Sequence, residues 1–164
     1  MVVLRTLLVG AALAAGAAPA SAHVTVQPAT AVAGAYQVLR FGVGHGCGDR
    51  AATTALRVEI PTGVTVARPQ PKPGWTLEIV GAGETVSAIV WRGSLPPDQF
   101  DEFVILAKLP RTSGSLAFPA TQNCGAETNR WIEPSSPGAS KPRFPAPTLT
   151  LIPAAPEGGH DHQH

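Results

Sequence analysis

The sequence of 164 residues is poor in charged residues, which make up 14% of it, and the two signs nearly cancel. Twelve Lys and Arg stand against 11 Asp and Glu. A chain without an excess of basic residues lacks the electrostatic footprint by which proteins bind nucleic acid or an anionic membrane surface. We therefore expect neither of these among its partners.

Apolar runs long enough to span a bilayer are missing as well. The one extended apolar stretch, residues 7–15, follows Arg5 and precedes Ala20-Ser21-Ala22. A positive charge, a short apolar core and small residues form a secretory signal peptide that is cleaved after the last small residue. We expect residues 1–22 to be removed, the mature chain to begin at His23 and the protein to be exported to the periplasm, with no membrane span left.

Only two cysteines are present, Cys47 and Cys124, and they lie far apart in the sequence. An exported chain meets an oxidising compartment, which favours a disulfide between them. A pair of free thiols that binds a metal is the competing interpretation, but neither cysteine stands in a Cys-x-x-Cys or Cys-x-His arrangement. We predict one disulfide, Cys47–Cys124.

A sustained helical period is absent from the mature chain. Short β-branched runs recur instead between abundant Pro and Gly, and several of them alternate polar and apolar residues. These runs cover residues 24–26, 36–43, 54–60, 64–66, 75–80, 85–91, 103–109 and 115–120. Such a series predicts an all-β fold, an antiparallel β-sandwich of the immunoglobulin-like or cupredoxin-like type.

The C-terminal part of the chain differs in composition. Residues 148–152 form a last apolar run that could pair as an edge strand, and we expect disorder after Pro153. The predicted organisation is a signal peptide over residues 1–22, one β-sandwich domain over 23–153 and a flexible His-rich tail over 154–164.

The copper prediction starts from the new N-terminus. Cleavage after Ala22 gives His23 two nitrogens that can chelate one metal ion, its α-amine and its ring Nδ1. Near neutral pH a strongly bound metal displaces few protons from such a pair. Cu(II) binds nitrogen donors more tightly than the other divalent first-row ions and favours a tetragonal arrangement that this chelate can begin. A histidine that follows the cleavage site by chance is the alternative.

A series of short motifs runs through the mature chain. They are Ala22-His23-Val24-Thr25-Val26-Gln27-Pro28, Gly44-His45-Gly46-Cys47-Gly48, residues 55–64, Lys72-Pro73-Gly74-Trp75, Val90-Trp91-Arg92-Gly93, Leu95-Pro96, Phe100-Asp101-Glu102-Phe103, Leu109-Pro110, Gln122-Asn123-Cys124 and Arg130-Trp131-Ile132-Glu133. In number and order they resemble the YcnI-like copper-binding domain family, formerly catalogued as a domain of unknown function. The resemblance covers most of residues 23–134.

The resemblance implies a copper site with three contributing residues. His23 would hold Cu(II), Glu102 would complete the equatorial shell, and Trp131 would pack beside the metal. A carboxylate partly neutralises the dication, and an indole, which is not an ordinary nitrogen ligand, can shield it. Asp101 is the alternative carboxylate, since only one of two neighbours on a strand can point toward His23. Trp131 could instead fill the core, as we expect of the other two tryptophans.

Four further histidines could also bind metal. His45 lies between two glycines beside Cys47, where it is either a second ligand or a turn histidine with a local hydrogen bond. The other three form a short tract in the tail, at His160, His162 and His164. If the tract is native rather than a cloning tag, we expect it to bind Cu(II), Zn(II) or Ni(II) weakly and to pass copper to His23.

Three functions are compatible with these features. The first is a periplasmic copper-binding protein, not an enzyme, that sequesters Cu(II) or transfers it as a chaperone. The partners that the resemblance implies are other exported copper carriers or a membrane copper transporter. The alternative is a copper-dependent oxidative enzyme with an N-terminal histidine brace, in which a second imidazole joins the brace; outside the tail only His45 could supply one. A structural or adhesive β-sandwich without metal is the third.

Overall fold

The computed structural model describes residues 23–47, 51–82, 85–136, 138, 140 and 142–155. The predicted signal peptide, residues 156–164 of the predicted tail and all three of its histidines lie outside the described residues. Within the part that is described, no helix is long and apolar enough to cross a membrane.

Twelve β-strands form the described part of the chain. They are β1 (Thr25–Gln27), β2 (Thr30–Val32), β3 (Tyr36–Val43), β4 (Thr53–Glu59), β5 (Val66–Pro69), β6 (Thr76–Ala82), β7 (Thr85–Leu95), β8 (Asp101–Lys108), β9 (Gly114–Ala117), β10 (Ala120–Cys124), β11 (Glu127–Trp131) and β12 (Thr148–Ile152). A four-stranded sheet has the order β1-β3-β8-β5, a five-stranded sheet the order β11-β10-β4-β7-β6, and a small third sheet the order β2-β12-β9.

The alternation of polar and apolar residues along the strands corresponds to the side chains that are buried in the core. In β3 the side chains of Leu39, Phe41 and Val43 are buried, while those between them are more exposed. The four-stranded and five-stranded sheets meet through such inward-facing residues, for example where Trp91 of β7 packs edge-on against Phe103 of β8, with ring centroids 5.4 Å apart. Burying each large apolar side chain stabilises the fold by about 1.5 to 3 kcal/mol.

The predicted disulfide is confirmed and ties the two larger sheets together. Cys47, in the loop after β3, is bonded to Cys124 at the end of β10, with the Cα atoms 5.7 Å apart. Both cysteines are buried. The all-β fold is confirmed as well.

The C-terminal strand departs from the prediction, because β12 is not an edge strand. It lies between β2, to which it is parallel, and β9, to which it is antiparallel. Its Leu149 and Leu151 are buried, so the strand is part of the core. The error arose because the three-residue strand β2 is too short to be recognised in the sequence.

Candidate metal centre

His23 lies half-buried immediately before β1, at one edge of the four-stranded sheet. The backbone there is fixed because Val24 and Val26 are buried in the core, and β1 pairs with β3 through Thr25 opposite Gly42. The imidazole of His23 packs edge-on against the indole of Trp131, with ring centroids 5.5 Å apart and an interplanar angle of 66°. The structure therefore brings together two of the three residues predicted for the copper site.

Trp131 ends β11, the edge strand of the five-stranded sheet, and only 3% of its surface is exposed. Its Nε1–H donates to Oε1 of Gln122 at 3.2 Å, and its ring packs on Phe144 at a centroid distance of 5.2 Å. The core-packing alternative is correct in that the indole is buried. Core packing is compatible with the metal role, because the imidazole of His23 packs against the same indole ring.

A cleft opens beside His23. It has a volume of about 310 Å³ and is lined by His23, by the residues of β1 and by residues 145–148. The cleft gives a small ion access to His23, whose α-amine in the predicted mature chain would add a second nitrogen to that of the ring. Two nitrogens on one half-buried residue suit Cu(II).

Gln122 was not among the predicted site residues, and the structure places it directly behind Trp131. The side chain is 1% exposed, and each of its polar atoms is used. Nε2 donates to the carbonyl oxygen of His45 and to Oγ1 of Thr53, both at 2.8 Å, and Oε1 accepts from Trp131. One buried amide therefore connects the loop at the disulfide to the indole beside His23.

Glu102, the predicted carboxylate, lies on β8, two strands away from β1. Its backbone is paired with Gly42, which in turn is paired with Thr25. Two interstrand steps separate Glu102 from Thr25 by roughly 10 Å between Cα atoms. The carboxylate is about half exposed and lies 3.8 Å from Nε of Arg40.

The surroundings of Glu102 also differ from those of His23. The side chain lines a separate cleft of about 210 Å³, together with residues 70–73 and Val104. To reach a metal held at His23, the carboxylate would have to turn away from Arg40 and this cleft. A partly exposed ion pair of this kind contributes at most about 1 kcal/mol, so such a movement costs little.

Asp101, the alternative carboxylate, is held more firmly. Lys72 Nζ lies 2.5 Å from Asp101 Oδ1, donates to the carbonyl oxygen of Glu102 and sits 5.0 Å from the ring centroid of Phe103. The Lys72 side chain is 18% exposed, so this pair is the better shielded of the two. Of the two neighbours, Glu102 is the carboxylate with the longer and more exposed ion pair.

His45 has the local hydrogen bond expected of a turn histidine. Its Nδ1 lies 2.7 Å from the carbonyl oxygen of Gly46, and the ring is half-buried. The described residues contain no cluster of three or more His, Cys, Asp or Glu side chains placed to hold a metal ion.

The chain is similar to a known protein family and to a protein named for copper binding. The sequence model of a family described as a domain of unknown function, DUF1775, matches residues 23–151. The copper-binding protein CutI of Bacillus subtilis (strain 168) is 30% identical over 108 residues, which are 64% of this chain and 52% of CutI. The chain thus spans about half the length of that relative.

A solved structure agrees with the fold. The crystal structure of an uncharacterized protein from Nocardia farcinica, described as having an immunoglobulin-like fold, matches with a TM-score of 0.71 at 35% sequence identity. The match covers 80% of this chain and 99% of the other. The predicted immunoglobulin-like sandwich is therefore confirmed.

Proposed function

This chain belongs to the DUF1775 family, and from that premise we propose that its mature form is an exported copper-binding protein. It holds Cu(II) through the α-amine and Nδ1 of His23 and sequesters the ion or transfers it within the periplasm. The copper is cargo, so no catalytic turnover is required. A related protein named for copper binding supports the choice of metal.

The contact between His23 and Trp131 carries the proposal. The family match begins at residue 23, the position at which the signal sequence is expected to be cleaved. The structure then places the ring of that residue against a buried indole, 5.5 Å away between centroids. A histidine left by chance at a cleavage site has no reason to be held in this way, whereas a metal ligand benefits from a fixed ring.

The indole has a defined part in such a site. Because its N–H is committed to Gln122, Trp131 offers the metal only its ring. The ring restricts the positions that the imidazole of His23 can adopt and shields one side of the bound ion from water. Fixing a ligand before binding lowers the entropy lost when the ion arrives.

Glu102 supplies the third donor in this proposal. Two neutral nitrogens leave the charge of Cu(II) uncompensated, and one carboxylate oxygen offsets part of it. The half-exposed carboxylate of Glu102 is held only by Arg40 at 3.8 Å, while Asp101 is held by Lys72. We expect Glu102 to exchange Arg40 for the metal.

Transfer of copper requires a second protein that delivers the ion or receives it. Other exported copper carriers and a copper-transporting membrane protein are the partners that suit the proposed location. The tail histidines His160, His162 and His164 would bind copper weakly and deliver it to His23.

Calorimetric titration of the mature chain without residues 156–164 tests the proposal. We expect one tightly bound Cu(II) per chain, weakened by about tenfold or more in Glu102→Gln, since loss even of a ligand's supporting group costs this much. The matched variant Asp101→Asn keeps the affinity. A tail-free chain with no copper affinity would instead support a purely structural β-sandwich, and equal effects of the two substitutions would remove Glu102 from the site.

A further inference from the structure

The outer side of the four-stranded sheet is open to solvent. Because directly opposite residues of neighbouring strands share a face, the register of β3, β8 and β5 groups one set of side chains on the side away from the core. We call this set the cationic face, and it consists of Tyr36, Val38, Arg40, Arg68, Leu106 and Lys108. Alternate residues of the same strands, such as Leu39 and Ile105, are buried on the other side. Tyr36 is 60% exposed and Val38 38%, so solvent reaches the face.

Positive charge predominates on this face. Lys108 lies opposite Tyr36, and its Nζ is 4.7 Å from the centroid of that ring. Arg68, on the neighbouring edge strand β5, is exposed. Among the outward-facing positions of the four strands, all of which are described, Glu102 is the one carboxylate, and it lies 3.8 Å from Arg40. An excess of cations on an exposed surface attracts anionic groups.

The C-terminal tail begins at one end of the cationic face. The carbonyl oxygen of Ile152, the last residue of β12, accepts a hydrogen bond from the backbone N–H of Ala33 at 2.8 Å. Ala33 belongs to the short turn that leads from β2 into β3 at Tyr36. The chain beyond Ile152 therefore starts beside the end of the face at which Tyr36 and Lys108 are paired.

The tail is long enough to follow the face to its other end. Strand β3 has eight residues, which extend over about 24 Å. Its far end is the end closest to the proposed copper site, because Gly42 is paired with Thr25, two residues after His23. Residues 153–164 span about 40 Å when fully extended. The histidines of the tail are thus within reach of the whole face.

The tail has a charge opposite to that of the face. Residues 156–164 include Glu157 and Asp161 and contain neither Lys nor Arg. Imidazoles with the ordinary pKa of about 6.5 are largely neutral at a pH of about 7.5, so the tail is anionic there. Its three histidines also have apolar ring faces, which can pack on the exposed aliphatic side chains of Val38 and Leu106.

We propose that residues 156–164 of the metal-free chain lie along the cationic face, with their carboxylates beside Arg68 and Lys108. Since single exposed ion pairs are weak, the docking depends on several cations together and on low ionic strength. The docking itself requires no metal. Its consequence for copper rests on the proposed function: the face holds the tail histidines between the end of β12 and His23, so an ion captured by the tail stays close to the site.

Nuclear magnetic resonance of the metal-free chain that begins at His23, with and without residues 156–164, tests the docking at a pH of about 7.5. We expect the tail to shift the amide signals of β3, β8 and β5 and to leave those of β6 unchanged. Sodium chloride at about 1 M, where the Debye length is about 3 Å, should remove the shifts. This measurement uses the unchanged chain, so it decides the question even if a variant does not fold.

Charge reversal identifies the surface. The double variant R68E/K108E should lose the tail-dependent shifts, whereas R92E/R130E, which reverses two exposed cations of the five-stranded sheet, should keep them. Thermal unfolding of both variants checks that they fold. Absence of the shifts, or their persistence in R68E/K108E, overturns the docking.

A dependence of the shifts on protein concentration would also overturn the inference, because the tail would then bind a second copy of the chain. None of these measurements involves copper. Failure of the docking therefore leaves the site at His23 standing, and that site is tested separately by copper titration of the tail-free chain.

Discussion

Replacing Gln122 by Met tests whether the buried amide holds the site together. Methionine has nearly the volume of glutamine, so the substitution leaves no large cavity and isolates the loss of hydrogen bonds. It removes the bonds from Nε2 to the His45 carbonyl and to Thr53, and the bond that Oε1 accepts from Trp131. Trp131 Nε1 then has no partner in a buried position.

The expected loss of stability follows from the polar groups that lose their hydrogen-bond partners. A buried donor or acceptor without its partner costs roughly 1 to 3 kcal/mol, and the substitution strands the indole N–H fully and the partly buried His45 carbonyl in part. We expect the free energy of unfolding to fall by about 2 to 4 kcal/mol. For a domain of this size the melting temperature should fall by roughly 6 to 12 °C.

Urea unfolding of the two mature chains measures this difference, and near-ultraviolet circular dichroism reports whether the indole of Trp131 has lost its fixed orientation. Gln99→Met, the same chemical change at an exposed residue, should shift stability by less than about 0.5 kcal/mol. If Gln122→Met unfolds as Gln99→Met does and keeps the aromatic signal, the amide does not hold Trp131, and the reasoning about the network is wrong.

Three further predictions concern the disulfide, the indole and turnover. The double variant C47S/C124S opens a loop with a sequence separation of 77 residues. Its free energy of unfolding should therefore fall by about 4.5 kcal/mol on the chain-entropy model. Urea unfolding measures this loss, and an unchanged unfolding midpoint would contradict it. Cu(II) should quench part of the tryptophan fluorescence of the mature chain; Trp131→Phe should bind the ion with far less quenching, whereas equal fractional quenching would place the ion elsewhere. With copper and ascorbate, an oxygen electrode should record no consumption above that of free copper, and sustained consumption would favour the oxidative enzyme.

The strands with alternating polar and apolar residues could be predicted, because the residue type at each position indicates whether its side chain is buried. The run at 36–43 was predicted with the observed bounds, since Leu39, Phe41 and Val43 enter the core at every second position. The disulfide could be predicted as well, because two cysteines allow only one pair and the predicted export favours its oxidation.

Strands β10 and β11 gave no such signal. Their sequences, Ala120–Cys124 and Glu127–Trp131, are largely polar, and the inward-facing position at the centre of β10 is a glutamine. Gln122 is buried because its partners Thr53, His45 and Trp131 converge on it from separate parts of the chain. That convergence depends on strand register, which a single sequence does not specify. The closeness of His23 to Trp131 also depends on register, and it was expected from the family resemblance alone.

The position of Glu102 relative to His23 also depends on strand register. The alternation predicted that Asp101 and Glu102 point in different directions, and the structure pairs Asp101 with Lys72 and Glu102 with Arg40. Which of the two joins a metal depends on the movement of an exposed side chain, so the assignment to Glu102 remains a prediction.

Addition of one alanine before His23 is the most direct test of the copper site. The extended chain keeps the imidazole and Trp131 but moves the free amine to another residue. Electron paramagnetic resonance during Cu(II) titration of the tail-free mature chain should show one tight nitrogen-rich site, which the added alanine abolishes. Identical spectra and affinities from the two chains would show that the amine of His23 does not bind the ion.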